Sequence, residues 1–370
     1  MKFTCNTKPF SDALNLGIIN SNISSYHKKS NIVQLTILDN QLKINVETAS
    51  IKTQITIKGT SEGDSSSNTR IFVSSLIVKQ LVASIGSGTI ELDITDNGLL
   101  ITSGKSKFTL PKLIDSDELE LDAPATLEGE VAWKDIDQSS WKFIKDNQLF
   151  ALAISFIHPV YTRVWVGSDG DVLVGDFDNS LFTHSKLNKL GNTCLLSDTV
   201  INLFTCLPEG SKIAKAADGR NYVISATTDA FAYVSEFTPY YESDEGVGSY
   251  NSAIFLGIMN SNDAGVQTIA SALNKFLSQA ELLSTSTEDT INFSAEGNKV
   301  SLYDKNVNCS VEVAGQSETY KVEFRLSSLK KIISNYGDSE ITIKPFKSEG
   351  EVNGIIVTDN TLTTILGGVE

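Results

Sequence analysis

Apolar residues along the chain follow two periods that alternate in blocks. Two-residue alternation in VQLTILDN, QLKINVETAS and IKTQITIKG predicts strands, and Phe10, Leu14 and Ile18 ahead of them predict a helix from Lys8 to about Asn20. The most complete block is Arg70 to Leu113. Phe72 and Val73 end a strand, and the hydroxyls of Ser74 and Ser75 can accept the free amides of a helix's first turn. Ile77, Leu81, Val82 and Ile85 then supply an apolar stripe, and Gly86-Ser87-Gly88 stops the helix because glycine adopts the left-handed conformation easily. Alternating strands follow.

The same plan returns twice. From Cys194, Ser197 and Asp198 stand as caps, Val200, Leu203 and Phe204 as stripe, and Pro208-Glu209-Gly210 as stop. From Val322, Ser327 and Ser328 are the caps, Leu329, Ile332 and Ile333 the stripe, and Gly337 the stop. Ser75, Asp198 and Ser328 lie 123 and 130 residues apart, the period of a small domain rather than of a solenoid.

A second helix-plus-strands block precedes each copy. In the middle third it is the strand TLEGEVA, a helix from about Trp133 to Asn147, and strands over Ala151–Ile157, Thr162–Gly167, Asp171–Gly175 and Leu181–Lys186. In the last third it starts with NSAIFLGIMN. The longest helical pattern follows, Asp263 to Glu281, with Val266, Ile269, Ala270, Leu273, Phe276 and Leu277 on one face. Three α+β domains are expected, at 1–124, 125–246 and 247–370, each with two helices packed on antiparallel sheets. A helix with one apolar stripe must lie on a sheet, and the strands must join across domains or leave aggregation-prone edges. A closed ring removes the edges.

Composition narrows the function classes. At 41% hydrophobic and 20% charged residues, the chain reads as soluble and globular. The net charge of −15 excludes a uniformly basic nucleic-acid binder but not a basic face. There is no signal-like start and no apolar run of the roughly 20 residues that span a bilayer, so a cytoplasmic location is expected. Cys5, Cys194, Cys206 and Cys309 lack metal-ligand spacing and read as reduced thiols. His27, His158 and His184 have no spaced partners, and the glycines at Gly86 and Gly88 follow a helix, the wrong side for phosphate capture. Asp93 with Asp96, and Asp176 with Asp178, sit where turns favour aspartate. No catalysis, metal or cofactor is expected.

Three segments resemble bacterial-type DNA polymerase sliding clamps, in a diverged form such as a phage could encode. They are MKFTCNTKPFSDALN at the start, SGKSKFTLPKLIDSDELELDAP at the end of the first domain, and EFTPYYES at the end of the second. The resemblance implies a head-to-tail homodimer of three-domain subunits, closed as a ring around duplex DNA. On that reading helix cations face the phosphates: Lys8, Lys28, Lys29, Arg70, Lys79, Lys134, Lys142, Lys145, Lys275, Lys330 and Lys331. Each could equally be part of a solvated helix face. Polymerase and clamp-loader peptides with apolar anchors would dock between the second and third domains, on Phe177, Leu181, Phe182, Pro239, Tyr240, Ile365 and Leu366, unless these are core residues. The subunit interface would use Phe108 and Leu110 of KSKFTL against Leu273, Phe276 and Leu277, with Phe108 packing into its own sheet as the competing view. Two other classes remain: a β-rich structural or assembly protein with the same plan that does not encircle DNA, and an enzyme using strand-end carboxylates.

Overall fold

The computed structural model describes residues 1–18, 31–48, 50–63, 69–113, 121, 123–124, 132–153, 159–176, 180–187, 190, 192–241, 252–259, 263–283, 289–304, 307–348 and 350–369. It divides into two compact units, residues 1–142 with 199–239, and 143–198 with 240–370. Both expected domain boundaries lie at or beside segments outside the described residues, as do Lys28, Lys29, Phe177, His27, His158 and most of TLEGEVA.

The first unit opens with β1 (Lys2–Asn6), α1 (Thr7–Gly17), β2 (Ile32–Leu38), β3 (Gln41–Glu47), β4 (Ile51–Lys58) and β5 (Thr60–Glu62). Then come β6 (Thr69–Ser74), α2 (Ser75–Ile85), β7 (Thr89–Thr95), β8 (Gly98–Ser103), β9 (Ser106–Pro111) and β10 (Lys134–Asp135). After the α3 helix (Gln138–Asn147), which straddles the division, the second unit holds β11 (Val164–Val166), β12 (Asp171–Asp176), β13 (Leu181–Lys186) and β14 (Cys194–Leu196). The chain returns to the first unit through α4 (Asp198–Cys206), β15 (Lys212–Lys215), β16 (Tyr222–Thr227) and β17 (Phe231–Phe237). The rest belongs to the second: α5 (Ser252–Met259), β18 (Val266–Ile269), α6 (Ala270–Leu283), β19 (Thr290–Tyr303), β20 (Asn308–Arg325), α7 (Leu326–Ser334), β21 (Glu340–Ser348), β22 (Glu351–Thr358) and β23 (Thr363–Gly367).

The threefold repeat is visible in the pairing. Strand orders β1-β7-β8-β9, β10-β15-β16-β17 and β18-β21-β22-β23 are equivalent, and so are β6-β2-β3-β4 and β14-β11-β12-β13. All pairs are antiparallel. The long hairpin of β19 and β20 supplies the third set in two stretches: Thr290–Ala295 pairs with Tyr320–Arg325, and Lys299–Tyr303 pairs with Asn308–Glu312, with register shifts around Gly297. The sheets also cross between repeats, as the sequence demanded. β17 pairs with β4, joining the second repeat to the first, and β13 pairs with β23, joining the second to the third.

Local details depart from the sequence reading where side-chain spacing was ambiguous. Ser74 caps α2 through its Oγ, which accepts from the Ile77 amide (3.4 Å), but the buried stripe is Ser75, Val78 and Val82. Ile77 is 49% exposed. The α7 helix begins at Leu326, so Ser327 and Ser328 lie inside its first turn, and the Asp289 carboxylate accepts from the Ser327 amide (3.4 Å) instead. Trp133 and Lys134 precede α3, which starts at Gln138. There the Asp137 carboxylate accepts from the Ser139 and Ser140 hydroxyls and amides, and these bonds hold its pKa below the usual carboxylate value. Val266 and Ile269 belong to strand β18 rather than to the long helix, and NSAIFLGIMN carries helix α5.

Candidate functional site

The two crossings, or seams, are built alike on the face that carries the helices. In the first unit Phe231, Tyr233, Ser235 and Phe237 stand opposite Ile57, Ile55, Thr53 and Ile51, and the buried Thr53 and Ser235 hydroxyls are hydrogen-bonded at 2.9 Å. In the second unit Leu181 and Thr183 stand opposite Leu366 and Thr364, and Thr183 meets Gln148 while Thr364 accepts from the Tyr336 hydroxyl (2.9 Å). The opposite faces differ. The first seam shows Lys52 with Glu236, Gln54 with Val234 and Thr56 with Ala232. The second shows Phe182 with Ile365, both buried, and His184 with Thr363.

Around Phe182 and Ile365 lies an apolar cluster of Tyr161, Trp165, Leu173, Leu195 and Ile356, with Tyr240 and Phe346 packed against it. Tyr240 is held by a two-way backbone bridge to Leu195 (2.6 and 3.0 Å), and the Arg163 guanidinium lies 3.3 Å over its ring, a cation–π contact. Burial raises the pKa of Tyr161, so its ring is neutral at physiological pH. Helix α5 covers the cluster. Its Phe255 stacks on Phe182 (centroids 3.9 Å apart, planes at 29°) and meets Tyr161 edge-on (6.4 Å, 84°), and Met259 is buried one turn later. Of the expected docking residues, Phe182, Ile365 and Tyr240 therefore come together. Leu181 and Leu366 turn to the helix-bearing core on the other face of the same two strands, Pro239 belongs to the first unit, and Phe177 lies outside the described residues. Tyr161, Arg163, Phe255 and Met259 were not expected. The residues 252–259 run, SAIFLGIM, is uncharged and carries Phe255 and Met259 four apart, which is the signal that could have found them.

The cations on helices fall into free and engaged sets. Lys8, Lys142, Lys145 and Lys275 are exposed on α1, α3 and α6. Lys331 of α7 is also exposed and stands 5.4 Å over the Phe150 ring. Lys330 is ion-paired with Glu281. Lys79 donates to the Ile18 carbonyl (3.4 Å), and partial burial lowers its pKa. Arg70 and Lys134 lie on strands β6 and β10, not on helices. The α4 helix carries no cation, and neither does α5.

Among the described residues β5, β6, β9, β10, β14 and β19 each end a sheet, and two open stretches bear on the repeat. One is β9, last in its sheet, with Lys107 and Phe108 exposed. The other is Asn308–Val313 of β20, which pairs only with β19 and bears exposed Glu312. Exposed apolar side chains also cluster at two helix positions. Leu76 (51%) and Ile77 mark the start of α2, and Leu282 (86%) and Leu283 (61%) the end of α6. Leu273 and Leu277 are in the core, Phe276 is half-buried against it, and Leu110 is buried, which leaves Phe108 as the accessible member of the expected interface set.

No family model matches the chain, and no curated protein does. Solved structures do. The fold is that of a processivity clamp. More narrowly, it is the fold of the beta subunit of bacterial DNA polymerase III. That of Thermotoga maritima is 16% identical, with 100% of this chain and 99% of that chain covered at a TM-score of 0.77. The subunit from Pseudomonas aeruginosa is 15% identical with both chains fully covered (100% and 100%) at 0.75, and a DNA polymerase sliding clamp from Caulobacter crescentus is 12% identical, again 100% and 100%, at 0.76. No helix among the described residues is long and apolar enough to cross a membrane.

Proposed function

We propose that the chain is a DNA sliding clamp: a non-enzymatic processivity factor of three domains, 1–124, 125–246 and 247–370, that closes with a second copy into a ring around duplex DNA. The observation that carries this reading is the unfinished seam. In each made seam, the last strand of one repeat (β17, β23) pairs with the third strand after the first helix of another (β4, β13). The repeat leaves β9 as the unpaired strand of the first kind and Asn308–Val313 as the unpaired stretch of the second. They complement each other, so two copies joined head to tail would leave neither edge open. Lys107 opposite Glu312 would favour that pairing.

The helices support the same closure. In the first seam Leu203 of α4 and Leu16 at the end of α1 line one small cavity, and in the second Lys331 of α7 lies over Phe150, just beyond the end of α3. A third seam of this kind sets the exposed Leu76 and Ile77 of α2 against Leu282 and Leu283 at the end of a partner's α6. Duplex DNA would be held by enclosure, with Lys8, Lys142, Lys145, Lys275 and Lys331 giving weak, sequence-independent contacts to phosphate. Polymerase and loader subunits would dock short peptides with apolar anchors on the Phe182–Ile365 face.

Retention on DNA tests the reading. After loading, the protein should stay on a nicked circle and run off the same DNA once it is linearised, with little change in the difference at high salt. Equal release from both would contradict enclosure and leave an assembly protein of the same plan.

A further inference from the structure

The Phe182–Ile365 face is already occupied by the protein itself. We infer that α5 is a built-in occupant of the peptide site, a pseudo-ligand that must lift away before a partner's apolar anchors can enter; this rests on the docking reading above. The contacts of α5 are those of a docked peptide. Two anchors four residues apart, Phe255 and Met259, are buried in the aromatic cluster and Leu256 and Ile258 pack half-buried against it, while Ala253, Ile254 and Gly257 are exposed, Ile254 at 54%. Phe255 fills the site by stacking on Phe182, the residue that a partner's aromatic anchor would also need.

The helix is also built to let go. It has 8 residues, short of the roughly 12–15 below which an isolated helix is marginal. Gly257 sits in its middle, where glycine weakens a helix, and nothing lies within 4 Å of where a side-chain carbon would be, so packing does not require the glycine. Its segment is uncharged, and its hold on the cluster is apolar contact, which a peptide of similar anchors can replace. A partner's apparent affinity is then its intrinsic affinity reduced by the fraction of chains in which α5 is lifted.

The test uses the full-length protein and a fluorescent peptide of residues 251–260, NSAIFLGIMN, offered in trans. The variant Phe255→Ala with Met259→Ala, whose fold is checked by circular dichroism, loses the two buried anchors and keeps only the half-buried Leu256 and Ile258 on the cluster. The peptide should bind that variant about 10-fold or more tighter than wild type, as expected if the lifted state is about 10% populated or less. Gly257→Ala, which keeps every contact and strengthens the helix, should bind it about 5-fold more weakly than wild type. Equal, measurable binding to all three proteins would overturn the gate and leave the docking site standing. Binding to none of them would remove the docking reading and the gate with it.

Discussion

The first and second seams are the same joint with different outer chemistry. Both pair a last strand with a third strand, and both bury a hydroxyl-bearing position on the helix side: Thr53 with Ser235, and Thr183 beside Gln148. On the other side the first presents Lys52, Gln54, Thr56 and Glu236 with Val234 and Ala232, whereas the second presents Phe182 and Ile365 beneath an aromatic cluster and α5, with His184 and Thr363 at one end. A polar outer face is thus enough to hold such a joint. The apolar one is surplus to joining strands, and an apolar surface that the architecture does not require is what a docking site would leave on the sheet.

The largest effect should come at the proposed joint between two copies. Leu282→Asp with Leu283→Asp places charges on side chains that are exposed in the isolated chain, so the fold should stand while the dimer is lost. Light scattering would show the mass of one chain, and retention on circular DNA should vanish. Next, Phe182→Ala should cost about 3–5 kcal/mol by opening a cavity in a buried aromatic stack, whereas Val234→Ala on the polar face of the first seam should cost under about 1 kcal/mol. Urea melts of the two variants would measure the contrast directly.

Alkaline pH gives a third comparison. Burial pushes the Tyr233 hydroxyl in the first seam up to about 12 from 10.0. The unfolded chain releases this proton first, so the contribution of Tyr233 to stability is complete below pH 10 and is lost as pH rises from 10 towards 12. It reaches roughly 3 kcal/mol for a two-unit shift. Tyr233→Phe should flatten that part of the stability profile, and Tyr336, raised by burial in the second unit, should leave a residual slope. The smallest effect is at the first seam's hydroxyl pair. Ser235→Ala alone should cost about 1–2 kcal/mol by stranding the Thr53 hydroxyl, since Ser235 itself also donates to the Lys52 carbonyl (3.1 Å), and adding Thr53→Val should restore part of it, as a double-mutant cycle in thermal melts would show.

The repeat was legible because its stops are conformational. Gly86, Gly210 and Gly337 all adopt positive φ (80°, 79° and 55°), each where a helix was expected to end. The period-two strands β2, β3 and β4 were equally plain, since one face of each is buried. Failures arose where two structures share one spacing. Val266, Ile269, Ala270 and Leu273 fall at i, i+3, i+4 and i+7, so a short strand running into a helix reads as one longer helix. Leu181 with Phe182, and Ile365 with Leu366, were read as one pocket, but adjacent strand residues face opposite sides, and only Phe182 and Ile365 reach the cluster. Leu282 and Leu283 escaped notice because they lie off the stripe of Leu273, Leu277 and Ala280; their meaning depends on a surface that a single chain leaves bare.

The central claim is that β9 and Asn308–Val313 are the two halves of one seam. Paired cysteines scanned along Ser106–Leu110 and Asn308–Val313, beginning with Lys107→Cys and Glu312→Cys in a Cys206→Ser, Cys309→Ser background, would test it directly. On oxidation after loading, at least one pair should give covalently closed two-chain rings that stay on circular DNA through a detergent wash and leave when the DNA is cut. If no pair cross-links, or if cross-linked chains wash off the intact circle, the third seam does not exist as described.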